Sequence, residues 1–189
     1  MAYLERRALS QVLDSLTGHY RSHGEPRKTS CVIVCSFGYR ESGDEVEPGI
    51  INEYLAEFAL SLDLGKPILA QSEVAKAVDR ISKEPGRSIP IGGPQEHSVR
   101  YISTCDVLEQ CLEIMHKKGC SAATIVAHPF HLPRVDLTAR RLGIETAVPP
   151  GLKPLWVRAA APAGVDSSAV RCSSITASMA TVPGTGSRL

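Results

Sequence analysis

"IVAHPFHLPRVDLTARRLGIE", Ile125 to Glu145, opens as an apolar run and closes on an amphipathic helical pattern. The run begins slightly earlier, in "AATIVAHP" (122–129), where no alternation of polar and apolar side chains is visible. A strand of that kind is covered on both faces, as in a parallel sheet. Pro133 suits the first helical position, and Val135, Thr138, Ala139 and Leu142 line one face up to Gly143. "IETAVPP" (144–150) then returns as another strand. Strand, helix and strand in so short a span make a βαβ unit, whose crossover is expected to be right-handed.

The same alternation extends outward. "SCVIVCSFG" (30–38) is a second strand buried on both faces, stopping at Gly38, and "YRESGDEVEPG" (39–49) reads as a charged loop. Ile50, Ile51, Tyr54, Leu55, Phe58, Ala59 and Leu62 mark a long amphipathic helix that closes near Gly65. "KPILAQ" (66–71) is a short strand, and Ser72 is placed to cap a helix whose apolar face is Val74, Ala77, Val78 and Ile81. The Gly/Pro-rich segment 83–98 encloses a short strand at Ile89 to Ile91, with "VRYIS" (99–103) a second candidate. Ser103 and Asp106 form a capping box. Val107, Leu108, Cys111, Leu112 and Met115 follow as a helical face ending by Gly119. At the N-terminal side, Leu9, Val12, Leu13 and Leu16 predict an opening helix over 4–16, and Gly18 to Lys28 is a connector. Strands alternating with helices at this spacing predict a Rossmann-like three-layer α/β/α sandwich with a mainly parallel sheet.

The 189 residues fit a single domain over 1–156. The Ala/Ser/Thr/Gly-rich remainder, 157–189, is expected to be a flexible tail, because it has too few apolar groups to offset its ordering entropy. Docking of that tail on the domain or on a neighbouring subunit is the rival reading, and it leaves a homodimer open. With 21 basic and 20 acidic residues the net charge is +1, so no global field recruits nucleic acid or anionic membrane. The apolar runs fall far short of the roughly 20 residues of a membrane span. "MAYLERRALSQVLDSL" has no apolar secretory core, and the expected location is cytoplasmic. The 6 cysteines form no CxxC pair and read as reduced, mostly buried small hydrophobes; no zinc site is expected.

In open parallel sheets, ligands bind beyond the carboxyl ends of the strands, where loops enter helix N-termini. Four such corners are visible: Gly38 with its acidic loop, Ser72 and Glu73 in "QSE", Ser103 and Thr104 in "STCD", and His128, His131 and Arg134 in "HPFHLPR". Helix N-termini offer backbone N–H groups and a positive dipole end, so anions are favoured there. Arg134 in a first helical turn opposes that dipole, and makes more sense with a phosphate-like anion beside it. Bland readings compete at each position. Arg134 is then a solvated side chain or a partner of Asp136 or Glu145, His131 bonds a carbonyl, and His128 is packed. Ser72 and Ser103 are caps first, Glu73 is an ordinary first-turn acid, and Gly38 merely makes a tight turn where the functional reading has it let a ligand approach the backbone. An imidazole titrating near neutrality suits His131 to acid/base work, although no activated Ser or Cys accompanies it. His128 and His131 have no third ligand nearby, so no metal is expected. Neither GxGxxG nor a P-loop is present.

Three stretches share a pattern with a known family. "VAHPFHLPRVDLTARRLGIE" ends a strand in a small-residue turn and then sets His131, two residues, and Arg134 before a helix running to Gly143. "STCDVLEQ" places Thr104 and Asp106 at a helix start, and "CVIVCSFG" ends the first strand in glycine. On these residues the chain resembles the DUF218 family, whose bacterial members are the YdcF/SanA/ElyC-like proteins, over about residues 30–150. The departures are equally specific. The family's Ser-Gly-Gly turn after the second strand is replaced by "AQSEVAKAV", which keeps Glu73; "GIINEYLAEFA" lacks the family's arginine; Glu96 matches the family's third-helix glutamate loosely. No counterpart of the membrane anchor of several members is expected.

The resemblance implies a Rossmann-like fold and a small phosphorylated or nucleotide-like ligand, with S-adenosylmethionine or a nucleotide as the cofactor it suggests. Two functions follow as expectations. One is an enzyme acting on an anionic substrate at the C-terminal rim of the sheet. There His131 is the acid/base, Arg134 the anion clamp, and Gly38, Ser72, Glu73, Ser103, Thr104 and His128 bind the ligand. The other is a non-catalytic protein that binds or senses a nucleotide or S-adenosylmethionine. A third, weaker expectation is an interaction protein whose tail docks a partner.

Overall fold

Cys31–Val34 forms the central strand, β1, and all of its residues are buried. The computed structural model describes residues 20–38, 40–42, 45–62, 64–92 and 102–152. A 3-10 turn at Pro26–Lys28 precedes β1, and Arg40–Ser42 (β2) and Glu45–Glu47 (β3) follow it. Next come α1 (Ile50–Ser61), β4 (Ile68–Gln71), α2 (Ser72–Ser82) and β5 (Ser88–Ile91). The second half contains α3 (Thr104–Lys118), β6 (Ala122–Val126), α4 (Leu132–Arg141) and β7 (Glu145–Ala147).

Five strands lie in the order β5-β4-β1-β6-β7, every pair parallel. Val32 is level with Ile68 on one side and Thr124 on the other. Alternate residues of β1 serve opposite cores, which is why its sequence is apolar without a break. Val32 and Val34 pack with Leu55 and Ala56 of α1 and Val74 and Val78 of α2. Cys31 and Ile33 pack with Leu108, Cys111 and Met115 of α3 and with Val135 and Ala139 of α4. The result is the expected Rossmann-like three-layer sandwich. The chain builds outward from β1 to β4 and β5, then returns to place β6 and β7 on β1's other side. Its order therefore reverses between β1 and β6, which opens a crevice beyond their carboxyl ends.

Several local expectations are corrected. The charged stretch 39–49 contains the antiparallel pair β2–β3, with Arg40 opposite Glu47. Helix α1 packs largely the face read in the sequence: Leu55 and Ala59 are buried, and Ile51, Tyr54, Phe58 and Leu62 lie half-buried against the same core; Asn52 and Ala56 are buried as well, and Ile50 is 52% exposed. Ser72 is the first residue of α2 rather than its cap; Gln71 holds the cap position without a side-chain capping bond. Helix α4 starts one residue earlier than expected, at Leu132, so Pro133 is its second residue. The capping box of Ser103 and Asp106 is present, and Gly119 ends α3 in the left-handed conformation. The opening helix 4–16, most of "VRYIS", and the tail 157–189 lie outside the described residues. Among the described residues no helix is long and apolar enough to cross a membrane.

One clip ties the beginning of the described chain to its end. Asp136 on α4 is 1% exposed and accepts from Tyr20 Oη and Thr146 Oγ1, each at 2.6 Å. The same carboxylate meets Arg140 Nη2 at 3.0 Å and His23 Nε2 at 3.2 Å. His23 and Val148 also exchange two backbone hydrogen bonds, of 3.2 and 2.8 Å, along the outer side of the sheet. Gly24 makes this approach feasible, since a Cβ there would stand 2.9 Å from that of Ala147.

Candidate functional site

Two side-chain amides shape the turn after β1. Gln71, at the end of β4, accepts from Ser36 N at 2.8 Å. Asn52, fully buried in α1, accepts from Phe37 N at 2.8 Å and donates to Gly38 O at 2.6 Å. Gly38 adopts φ +73°, a left-handed turn that favours glycine, and the space where a Cβ would stand is open. This bracing presents the Phe37 ring to the crevice.

Phe37 stacks on His128, with ring centroids 4.2 Å apart and planes 20° from parallel. Phe130 lies on His128 as well, at 5.3 Å and 27°. His128 is 2% exposed, and its Nδ1 accepts a long bond of 3.4 Å from Phe130 N. That assigns the ring hydrogen to Nε2, which is buried without a partner and is the only such side-chain atom among the described residues. Burial holds the His128 pKa below its ordinary 6.5, so the ring is neutral at physiological pH.

The turn from His128 into α4 uses its own backbone donors. His131 N and Leu132 N both donate to His128 O, and Arg134 N and Val135 N both donate to His131 O. Pro133 has no N–H to give. The expectation that this helix start offers free backbone N–H groups is therefore corrected: its capacity for an anion resides in side chains and in the dipole.

Those side chains meet. Arg134 Nη2 stands 2.9 Å from His131 Nδ1, and Phe37 and His131 have ring centroids 6.4 Å apart. A guanidinium only donates, so Nδ1 of His131 accepts and its Nε2 bears the hydrogen. Burial is the largest cause lowering the His131 pKa, followed by the charges of Arg134 and His128; together they bring it to about 3. His131 is thus a neutral donor. One nitrogen is occupied by Arg134 and the other is protonated, so neither is free to act as a base.

Arg134 itself is exposed and forms no ion pair among the described residues. Its suggested partner Asp136 is engaged by Tyr20, His23, Arg140 and Thr146. Sequence proximity misleads here because residues two apart on a helix point to different faces.

The other corners are built differently. The Ser72 hydroxyl donates to the Ile91 and Gly92 carbonyls, tying α2 to the end of β5. Glu73 is 8% exposed and has no hydrogen bond or ion pair among the described residues. Ser103 Oγ accepts from Asp106 N at 3.2 Å and donates to Asp106 Oδ2 at 2.7 Å, so the capping box takes its only hydrogen. Thr104 starts α3, and no hydrogen bond among the described residues joins Ser103 or Thr104 to the His131–Arg134 pair. The fold brings His128, His131 and Arg134 together at one turn, with Gly38 joined to it through Phe37, while Ser103 and Thr104 stand at the start of α3.

Phe37, Asn52 and Gln71 were not read as site residues from the sequence. Asn52 carried a signal: it shares a helical face with Leu55, Ala56 and Ala59, where a polar side chain must satisfy itself against something specific. A cavity of about 160 Å³ lies beyond β6 and β7, on the side of the turn walled by Pro129 and Leu132, and neither His131 nor Arg134 lines it. Among the described residues no three His, Cys, Asp or Glu side chains converge on a common point. Cys31, Cys35 and Cys111 are buried; burial pushes the thiols of Cys31 and Cys35 up to about 12, far from the reactive range. Cys105 is exposed, Cys120 is half-buried, and Cys172 lies outside the described residues. No protein-family model matches the chain, and a search of curated proteins returns no match.

Proposed function

We propose that this protein binds a small anionic ligand, phosphorylated or nucleotide-like, in the crevice between the ends of β1 and β6. Arg134 is the clamp, and the Nε2–H of His131 is a neutral donor beside it. One observation carries the reading: an exposed guanidinium, with no carboxylate partner among the described residues, is held by a neutral imidazole at a helix N-terminus. A cation in that position opposes the helix dipole until an anion joins it. The His131 and Arg134 spacing supports reading the chain as a divergent relative of the DUF218 family. S-adenosylmethionine and nucleotides are then the ligands to try first.

Binding or sensing without turnover is the reading that the imidazole's state favours. Catalysis would require the ligand to draw Arg134 away from His131 Nδ1, freeing that nitrogen as a base; the 2.9 Å contact makes this the specific condition of the enzymatic alternative. A cytoplasmic location, without nucleic-acid or membrane partners, accords with the near-neutral net charge of +1.

Thermal melts and calorimetry with inorganic phosphate, AMP and S-adenosylmethionine test the proposal. At a hundredfold excess over Kd a ligand stabilises the fold by about 2.7 kcal/mol, which a melt readily detects. The expected outcome is a shift with the wild type that vanishes in Arg134→Ala. No shift with any of the three, or an undiminished shift in the variant, overturns it.

A further inference from the structure

We propose that the ligand is dipolar, its anionic group lying on Arg134 and an organic cationic group, such as an ammonium, lying on Glu73. This deepens the anion reading and rests on it.

Glu73 carries the argument. It sits in the first turn of α2, immediately beyond β4, and is 8% exposed. A helix N-terminus favours a carboxylate, but it favours an exposed one equally and gives no reason to bury it. Withdrawing a carboxylate from water without hydrogen bonds costs free energy. Yet no hydrogen bond or ion pair satisfies this one among the described residues. Its oxygens are not sealed either, since His128 Nε2 is the sole fully buried and unpartnered side-chain atom described. A carboxylate that is largely buried, unpaired and still reachable is suited to receiving a cationic group.

Topology sets its distance from the anion clamp. Strands β4 and β6 flank β1, so their ends stand roughly 10 Å apart at ordinary strand spacing. The turn between them is braced from both sides. Gln71, two residues before Glu73, holds Ser36, while Phe37 lies against His128 and His131. Glu73 and Arg134 thus follow the strands on either side of β1 at one rim of the sheet, a negative and a positive group with no ion pair among the described residues. Among the described residues no three metal-ligating side chains converge, which favours an organic cation over a metal ion.

The test compares aminoalkyl phosphates with two-, four- and six-carbon chains against alkyl phosphates of the same lengths, by calorimetry on the full chain. At one length at least, the amine should bind about tenfold tighter than its alkyl counterpart, as a charge-assisted hydrogen bond affords. Glu73→Gln should abolish that advantage without weakening alkyl phosphate binding, since loss of a carboxylate only relieves repulsion of an anion, and an unaltered melting temperature shows that the variant folds. Alkyl phosphates that bind through Arg134 with no gain from the amine overturn this inference alone. A gain that survives Glu73→Gln overturns it too. A Glu73-dependent gain seen only when Mg²⁺ accompanies alkyl phosphate assigns the positive pole to a metal ion and overturns the organic cation. Failure of every phosphate to bind removes the anion reading and this inference with it.

Discussion

Arg134 donates to Nδ1 of His131 across 2.9 Å, coupling a permanent cation to an uncharged ring at the start of α4. The contact sets the tautomer of His131, aims its remaining hydrogen through Nε2, and opposes protonation of the ring. An anion that drew Arg134 away would therefore also raise the proton affinity of His131.

His131 makes stability depend on pH. Its folded-state pKa of about 3 lies below the ordinary 6.5. The unfolded chain takes up the proton first as pH falls, so the stabilisation is complete above about 6.5 and is lost progressively toward about 3. Melting temperatures measured from about pH 7 down to about 4.5 should fall less steeply in His131→Gln than in the wild type. Nitrogen-15 spectra of the imidazole should show a neutral Nε2–H ring at about pH 6. A charged ring at that pH sinks the assignment.

Asp136 is expected to be the most sensitive polar position in the fold. Asp136→Ala strips four partners from one buried carboxylate and leaves Arg140 and His23 facing each other. The cost should be about 1–3 kcal/mol in urea unfolding, since the Arg140 and His23 left behind reach solvent. Tyr20→Phe, which removes one 2.6 Å bond, should cost about 1–2 kcal/mol. Arg134→Ala, on the exposed side of the same helix, should stay within about 0.5 kcal/mol.

Asn52→Ala should weaken binding without touching the clamp. It leaves Phe37 N and Gly38 O without their amide partner, for a loss of about 2 kcal/mol. The Phe37–His128 stack then loses its support. Phosphate affinity should fall although Arg134 and His131 are intact; an unchanged affinity would show that the turn after β1 takes no part in the site.

Two glycine substitutions should separate conformational strain from collision. Gly38→Ala meets nothing within 4 Å and bears only the left-handed penalty of about 1–2 kcal/mol. Gly24→Ala carries the same penalty and also drives a methyl group to 2.9 Å from Ala147 Cβ. Its melting temperature should drop further. Equal drops would refute the close approach of the 20–24 segment to β7.

Much of this architecture is legible along the chain. The unbroken apolar runs at Cys31–Val34 and Ala122–Val126 are what a strand covered on both sides requires, and both are buried throughout. Ser103 and Asp106 announce the start of α3 because a capping box is a local exchange of hydrogen bonds. The β2–β3 pair escapes such reading, since it sits in a charged stretch with no apolar alternation to mark it. Ser72 misleads as a cap because its hydroxyl finds a better acceptor at Gly92, which β5 brings beside it.

The residues by themselves determined that strands and helices alternate, and that an imidazole and a guanidinium share a strand-to-helix corner. Periodicity and capping act within a few positions, so they can be read in one dimension. Tertiary structure alone decided that Asp136 answers to Tyr20 and His23 rather than to Arg134, that the α4 N–H groups are consumed by its own turn, and that Glu73 is buried unpaired. Each of those outcomes depends on which groups compete for a partner across the sheet, and that competition exists only once β4, β1 and β6 lie side by side.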